Sequence, residues 1–194
     1  MNETAERNWL LSKTTIGFWF YLMTDCVLFA SLFATFAVLR TATAGGPSGH
    51  QIFELSTALT ETIILLTSSY SCGLALVSMH AGRMKQMVGA FIVTFLLGAA
   101  FLTIEIHEFV TFIQAGHGPQ QSAFLSSFFT LVGTHGLHIW VGLVWLFTLL
   151  VVLWKKGLTD KLKRQITLFG LFWHFLDLVW IFIFTIVYLI GASS

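Results

Sequence analysis

The sequence predicts an all-α fold: a polytopic membrane protein built as a bundle of five transmembrane helices. Three observations carry this reading. Of the 194 residues, 56% are hydrophobic and only 10% are charged, where a soluble domain carries about 25% charged residues. A bilayer core of about 30 Å takes roughly 20 apolar residues of helix, and five segments qualify, at 16–40, 57–80, 88–113, 124–154 and 166–191. Those segments consume most of the chain, which predicts one membrane domain over 1–194 with no room for a soluble one.

The elements follow in order. The tail MNETAERNWLLSK is short and polar at its start. Span one, GFWFYLMTDCVLFASLFATFAVLR, exceeds the apolar core of a signal peptide, about 7–15 residues, and no small-residue cleavage site follows it, so it is expected to be retained. Asp25 lies roughly 13 Å along it at the rise of a helix. TATAGGPSGHQ then reads as a Gly/Pro turn cluster. Glu54 stands at the edge of span two and Glu61 further in. Span three follows a short loop containing Arg83 and Lys85. QAGHGPQQS connects it to span four, the longest, which is expected to tilt or to project beyond the bilayer. Span five runs to the terminal GASS. The chain shows no internal repeat and no low-complexity tract.

Loop charges predict the orientation. Arg7, Lys13, Arg83, Lys85, Lys155, Lys156, Lys161, Lys163 and Arg164 fall in the tail, the second loop and the fourth loop; the other connections hold only Arg40. Positive residues gather on the cytoplasmic side, so the N-terminus is expected in the cytoplasm and the C-terminus in the periplasm. The net charge of +1 gives no ground for a nucleic-acid partner. The basic loop KKGLTDKLKRQ suits anionic headgroups. Cys26 and Cys72 lie inside predicted spans with neither metal nor disulfide spacing, and read as small apolar packers. Trp9, Trp154 and Tyr188 are expected at membrane interfaces.

Function has to be sought in three pairs spaced i,i+3: Glu105 and Glu108, His135 and His138, His174 and Asp177. That spacing puts each pair on one helix face. A charged group at bilayer depth costs roughly 2.5 kcal/mol or more on insertion scales, so such groups are kept for a reason. Asp25, Glu61, Glu105, Glu108 and Asp177 have no Lys or Arg deep in any span to pair with. A histidine, a bound cation or a lipid headgroup could serve instead, or a neutral carboxylic acid could bond neighbouring helices. The depths of the three pairs overlap enough for them to meet. HxxH with ExxE and HxxD resembles ligand spacing, but the Glu-x-x-His motif of di-iron bundles is absent. His50, His80 and His117 fall in loops or at span ends. The glycines of GTHGLHIWVG (Gly133, Gly136 and Gly142) permit close helix packing. No phosphate loop, nucleophile motif or zinc motif is present. The residues therefore describe a helical membrane protein with buried polar groups, and a partner of something larger.

Several blocks carry a resemblance: GFWFYLMTDCVLFASLFATFAVL, TAGGPSG with IFEL, EIHEF, GHGPQQSAFLSSFF, LVGTHGLHIWVGLVW and LFWHFLDLVWIFIFTIVYL. In this order they resemble subunit III of haem–copper oxidases, most closely that of the cytochrome bo-type ubiquinol oxidases. Five spans are similar to the bacterial form that lacks the first two helices of the mitochondrial type. The resemblance implies a non-catalytic subunit of a terminal oxidase in the bacterial inner membrane. Haems and copper would sit in subunit I, with no catalytic and no metal site on this chain. It implies subunit I as the main contact, subunits II and IV as further partners, phospholipids held in a cleft, and support of proton uptake. The whole complex would oxidise ubiquinol, reduce dioxygen to water and pump protons. Asp25 matches the family's buried acidic position; His135, His138, His174 and Asp177 match its polar helix positions.

Other readings predict different things. A five-span cytochrome c oxidase subunit III would take electrons from another donor. A proton-coupled transporter would carry repeats and broken helices around a midplane site. A membrane metal oxidase in its own right would need more ligands. A pure scaffold would use the polar residues only to pin helices together.

Overall fold

The computed structural model describes residues 3–43 and 55–189, with side chains from residue 13 onward. Most of the TATAGGPSGHQ turn cluster, His50, Glu54 and the terminal GASS lie outside the described residues, as do the side chains of Arg7 and Trp9. Among the described residues five α-helices run in order: α1 (Glu3–Leu39), α2 (Leu55–His80), α3 (Met84–Gln114), α4 (Ala123–Lys156) and α5 (Asp160–Ile183), with a π-helical turn over Phe184–Leu189 closing α5. All five are long and apolar enough to span a membrane, α1 through its part from Lys13 to Leu39 and α5 together with its π turn.

Local chemistry explains the ends. Ser122 and Thr159 cap α4 and α5, each hydroxyl accepting from a backbone N–H three residues on. Lys155 and Lys156 occupy the last turn of α4, where cations complement the helix dipole. Gly157 (φ 68°) stops α4, and Gly82 (φ 71°) turns the chain from α2 into α3; both adopt the left-handed conformation that costs glycine least. Two starts differ from expectation. Helix α1 begins at Glu3 instead of 16, and α5 at Asp160 instead of 166. Hydropathy sees only the apolar part of a helix, whereas a cap such as Thr159 and the acidic Asp160 behind it start the helix in the polar layer.

Inside the spans the hydroxyls are satisfied locally. Thr60, Thr67, Thr103, Thr130 and Thr148 each donate to the carbonyl four residues back. No water is available there, so this removes an orphaned donor.

Helices α2 and α3 form a hairpin; α3 also packs on α4, and α1 packs on α4 and α5. Helix α5 touches α1, α2 and α4 and is the most enclosed of the five. Its buried tryptophans tie it to α2: Trp173 Nε1 donates to Ser68 Oγ at 3.2 Å, and Trp180 Nε1 to Thr62 Oγ1 at 3.0 Å. Buried Phe91, Phe101, Phe128 and Phe169 fill the remaining space edge-on. Such contacts matter because lipid tails are as apolar as the core, which leaves packing and hydrogen bonds to associate the helices. The outer surface is correspondingly apolar, with Phe20, Val27, Val38, Leu96 and Trp154 outward-facing.

Candidate functional site

The eight polar residues singled out from the sequence fall into separate neighbourhoods. The first joins three helices. Glu61 of α2 and Glu105 and Glu108 of α3 share one electrostatic neighbourhood with Tyr188 of the π turn. Glu61 is 0% exposed and Glu105 2%. The Tyr188 hydroxyl donates to Glu108 Oε2 at 3.1 Å. Among the described residues neither carboxyl oxygen of Glu61 or of Glu105 has a hydrogen-bond partner.

Tyr188, expected at a membrane interface, is the last residue but one of its span and is fully buried among Phe128 and Trp180. The π turn adds a residue to the helical repeat at this point and changes which face the following side chains present. Its phenol thus reaches the carboxylates.

Gly136 of α4 holds its place for Glu105. A Cβ there would stand 2.6 Å from Glu105 Oε1, so any side chain would displace the carboxyl. Gly133, one turn earlier, faces Phe109 with ordinary contact distance. Glu105, Leu102, Phe109, Gly133, Leu137 and Trp140 line a cavity of about 280 Å³ between α3 and α4.

The second neighbourhood joins α1 and α4. Asp25 Oδ2 lies 3.8 Å from His138 Nε2, and both groups are largely shielded. His138 Nδ1 stands 2.7 Å from the Thr134 carbonyl, which can only accept, so that nitrogen carries hydrogen and donates. Nε2 is left to face Asp25. At this distance there is no direct hydrogen bond between the two.

His135 is the centre of the third. It is 0% exposed, packed against Phe101 and Trp180, and neither ring nitrogen has a hydrogen-bond partner among the described residues. One helical turn separates it from His138, and Phe29 packs against both rings.

His174 and Asp177 straddle the edge of α5: Asp177 is buried and His174 is outward-facing. Ser69 Oγ and His174 Nδ1 are 2.6 Å apart, linking α2 to α5. The same Ser69 side chain also faces the Asp177 carboxyl. The serine was not singled out from the sequence, where it is one of many small polar residues in span two. The three i,i+3 pairs, whose depths allow them to meet, therefore find different neighbours. Among the described residues no three His, Cys, Asp or Glu side chains converge as a metal-ligand set. Cys72 is buried as a small packer, while Cys26 faces outward. The arrangement offers carboxyls, imidazoles and two phenols, Tyr188 beside Glu108 and Tyr21 beside Asp25, groups that can bind protons and bond helices together.

Comparison with known proteins adds a framework. Residues 6–192 match the family described as cytochrome c oxidase subunit III. The chain is 59% identical over 180 residues to the cytochrome bo(3) ubiquinol oxidase subunit 3 of Pseudomonas aeruginosa, an overlap covering 93% of this chain and 86% of that one. It is 47% identical over 179 residues to the quinol oxidase subunit 3 of Bacillus subtilis (92% and 88%). To the cytochrome c oxidase subunit 3 of Bacillus sp. strain PS3 it is 46% identical over 176 residues (91% and 85%).

Proposed function

The chain belongs to the cytochrome c oxidase subunit III family, and from that membership we propose that it is the non-catalytic subunit III of a proton-pumping terminal quinol oxidase. The observation that carries this reading is the 59% identity to a ubiquinol oxidase subunit over nearly the whole chain. The complex oxidises ubiquinol and reduces dioxygen to water in the aerobic respiratory chain. Haems and copper belong to subunit I, which is the main contact, with subunits II and IV as further partners. This chain lies in the bacterial inner membrane with its N-terminus in the cytoplasm and its C-terminus in the periplasm, the orientation that its loop charges favour. It stabilises subunit I, holds structural phospholipid and supports proton uptake.

The site geometry supports a proton-linked role. Asp25 faces His138 at 3.8 Å between two helices. With His138 Nδ1 already donating, Nε2 and the Asp25 carboxyl face one another as two proton-binding groups. Glu61, Glu105 and Glu108 are a second such store, with the Tyr188 hydroxyl at its edge. Proton-binding groups near a proton-consuming enzyme act as a local buffer when uptake limits turnover.

One alternative has an observation behind it. The 46% identity to a cytochrome c oxidase subunit 3 is consistent with a cytochrome c-driven relative. Gentle detergent extraction through a tag on this chain, with an optical spectrum and oxygen uptake on the eluate, separates the two. Haem bands with ubiquinol-driven uptake are expected. Uptake driven only by reduced cytochrome c moves the chain to the other branch, and a colourless single-chain eluate counts against both.

A further inference from the structure

We propose that the face shared by α2 and α5 around Ser69, Gly73 and His174 is the docking surface for a transmembrane helix of another subunit, one that presents a hydroxyl, amide or carboxyl side chain within the bilayer. The inference rests on reading this chain as one subunit of a membrane oxidase.

The argument starts from His174. Of the eight polar residues singled out above, the others are buried or half-buried, and His174 alone is outward-facing. It stands eight residues inside the start of the apolar segment at 166 and 15 before Leu189, and therefore well within the span. Its Nδ1 is occupied by Ser69 Oγ. The second ring nitrogen has no partner among the described residues.

Both nitrogens of an imidazole are hydrogen-bonding groups, and the hydrocarbon core offers no water. A phospholipid cannot fill the role. Its headgroup lies about 12 Å away at 1.5 Å per residue, and its acyl chains have nothing to donate or accept. Polar side chains at this depth face a bundle interior or a partner. His174 does not face the interior of its own bundle, so it faces a partner.

The surroundings fit a helix. A Cβ at Gly73 would meet nothing within 4 Å, so that position opens outward. Ser69 and Gly73 are one turn apart, the small-xxx-small spacing that lets two helices approach closely. Leu66, Tyr70 and Val77 extend the same α2 face and Leu178 the α5 side, all outward-facing; Tyr70 is 69% exposed. The surface thus has apolar flanks, a small-residue centre and one unsatisfied polar group.

The test uses the intact complex, extracted through a tag on this chain, and reads haem absorbance per tagged chain. His174→Leu leaves the partner's polar group unpaired and is expected to lower haem retention about fivefold or more. His174→Gln, which can still donate and accept, is expected to retain most of it. Gly73→Trp, at a position where an added Cβ meets nothing within 4 Å, is expected to lower retention as His174→Leu does. Leu96→Trp, on the outward face of α3, is expected to keep the wild-type value. A photo-crosslinker placed at Tyr70 is expected to capture a protein subunit. Wild-type retention in both His174→Leu and Gly73→Trp, or crosslinks to lipid alone, would overturn the docking surface. A wild-type chain that elutes without haem overturns the oxidase-subunit reading instead, and the two failures are thereby distinct.

Discussion

Gly142 faces the indole of Trp173, and the distances there say what a side chain would do. A Cβ at this position would lie 2.8 Å from Trp173 Cζ3 and 3.2 Å from Phe172. Trp173 is 1% exposed and tied to Ser68 through its indole nitrogen, so it has little room to give. Overpacking of this kind costs about 1–3 kcal/mol. Gly142→Val is therefore expected to lower the thermal midpoint of the chain in detergent, followed by circular dichroism. Gly89→Val, where a Cβ meets nothing within 4 Å, is expected to leave it unchanged. Equal midpoints for both variants would remove the packing argument. Gly136 follows the same logic with a different neighbour, since the group it admits is the Glu105 carboxyl. Both glycines were legible in the sequence as close-packing residues. What they pack against was not, because that depends on the rotation of α4 against α3 and α5.

At the scale of the element, the helices are set by polar chemistry at their ends and by apolar chemistry between. Helix α4 illustrates both. The Ser122 hydroxyl accepts from the Leu125 N–H at 3.1 Å, and two lysines close the last turn. Losing an N-cap costs about 1 kcal/mol. Ser122→Ala is expected to raise hydrogen exchange in the first turn of α4 by roughly fivefold, as that cost converts at ordinary temperature, with the middle of the helix unaffected. Exchange unchanged in that turn would show that the cap contributes nothing there. The five apolar segments were legible because each must clear the bilayer on its own. Helix α5 was legible only in part. Its capped start at Asp160 lies in a polar sequence that hydropathy passes over, and the π turn over Phe184–Leu189 leaves no mark in composition.

For the whole molecule, the question is what buried ionisable groups do inside a larger machine. Asp25 joins α1 to α4 through His138. If the pair feeds protons during turnover, Asp25→Asn is expected to hasten the loss of oxygen-reducing activity several-fold per turnover and to lower the protons pumped per electron in vesicles, while the complex still assembles. Wild-type values of both would confine Asp25 to bonding helices. The sequence by itself determined that this chain crosses a membrane five times, that carboxyls and imidazoles lie at depth, and which family it resembles. These follow from local necessity: a span must be about 20 apolar residues long, and a polar group within it is conspicuous because it is costly. The tertiary structure alone decided the partnerships. Asp25 meets His138, Glu108 meets Tyr188, His174 meets Ser69, and the three i,i+3 pairs go to different neighbours. The reason is that spacing fixes the face a residue occupies on its own helix, while helix rotation, crossing and the π turn decide what that face meets. Those are outcomes of packing summed over the bundle, and no single segment encodes them.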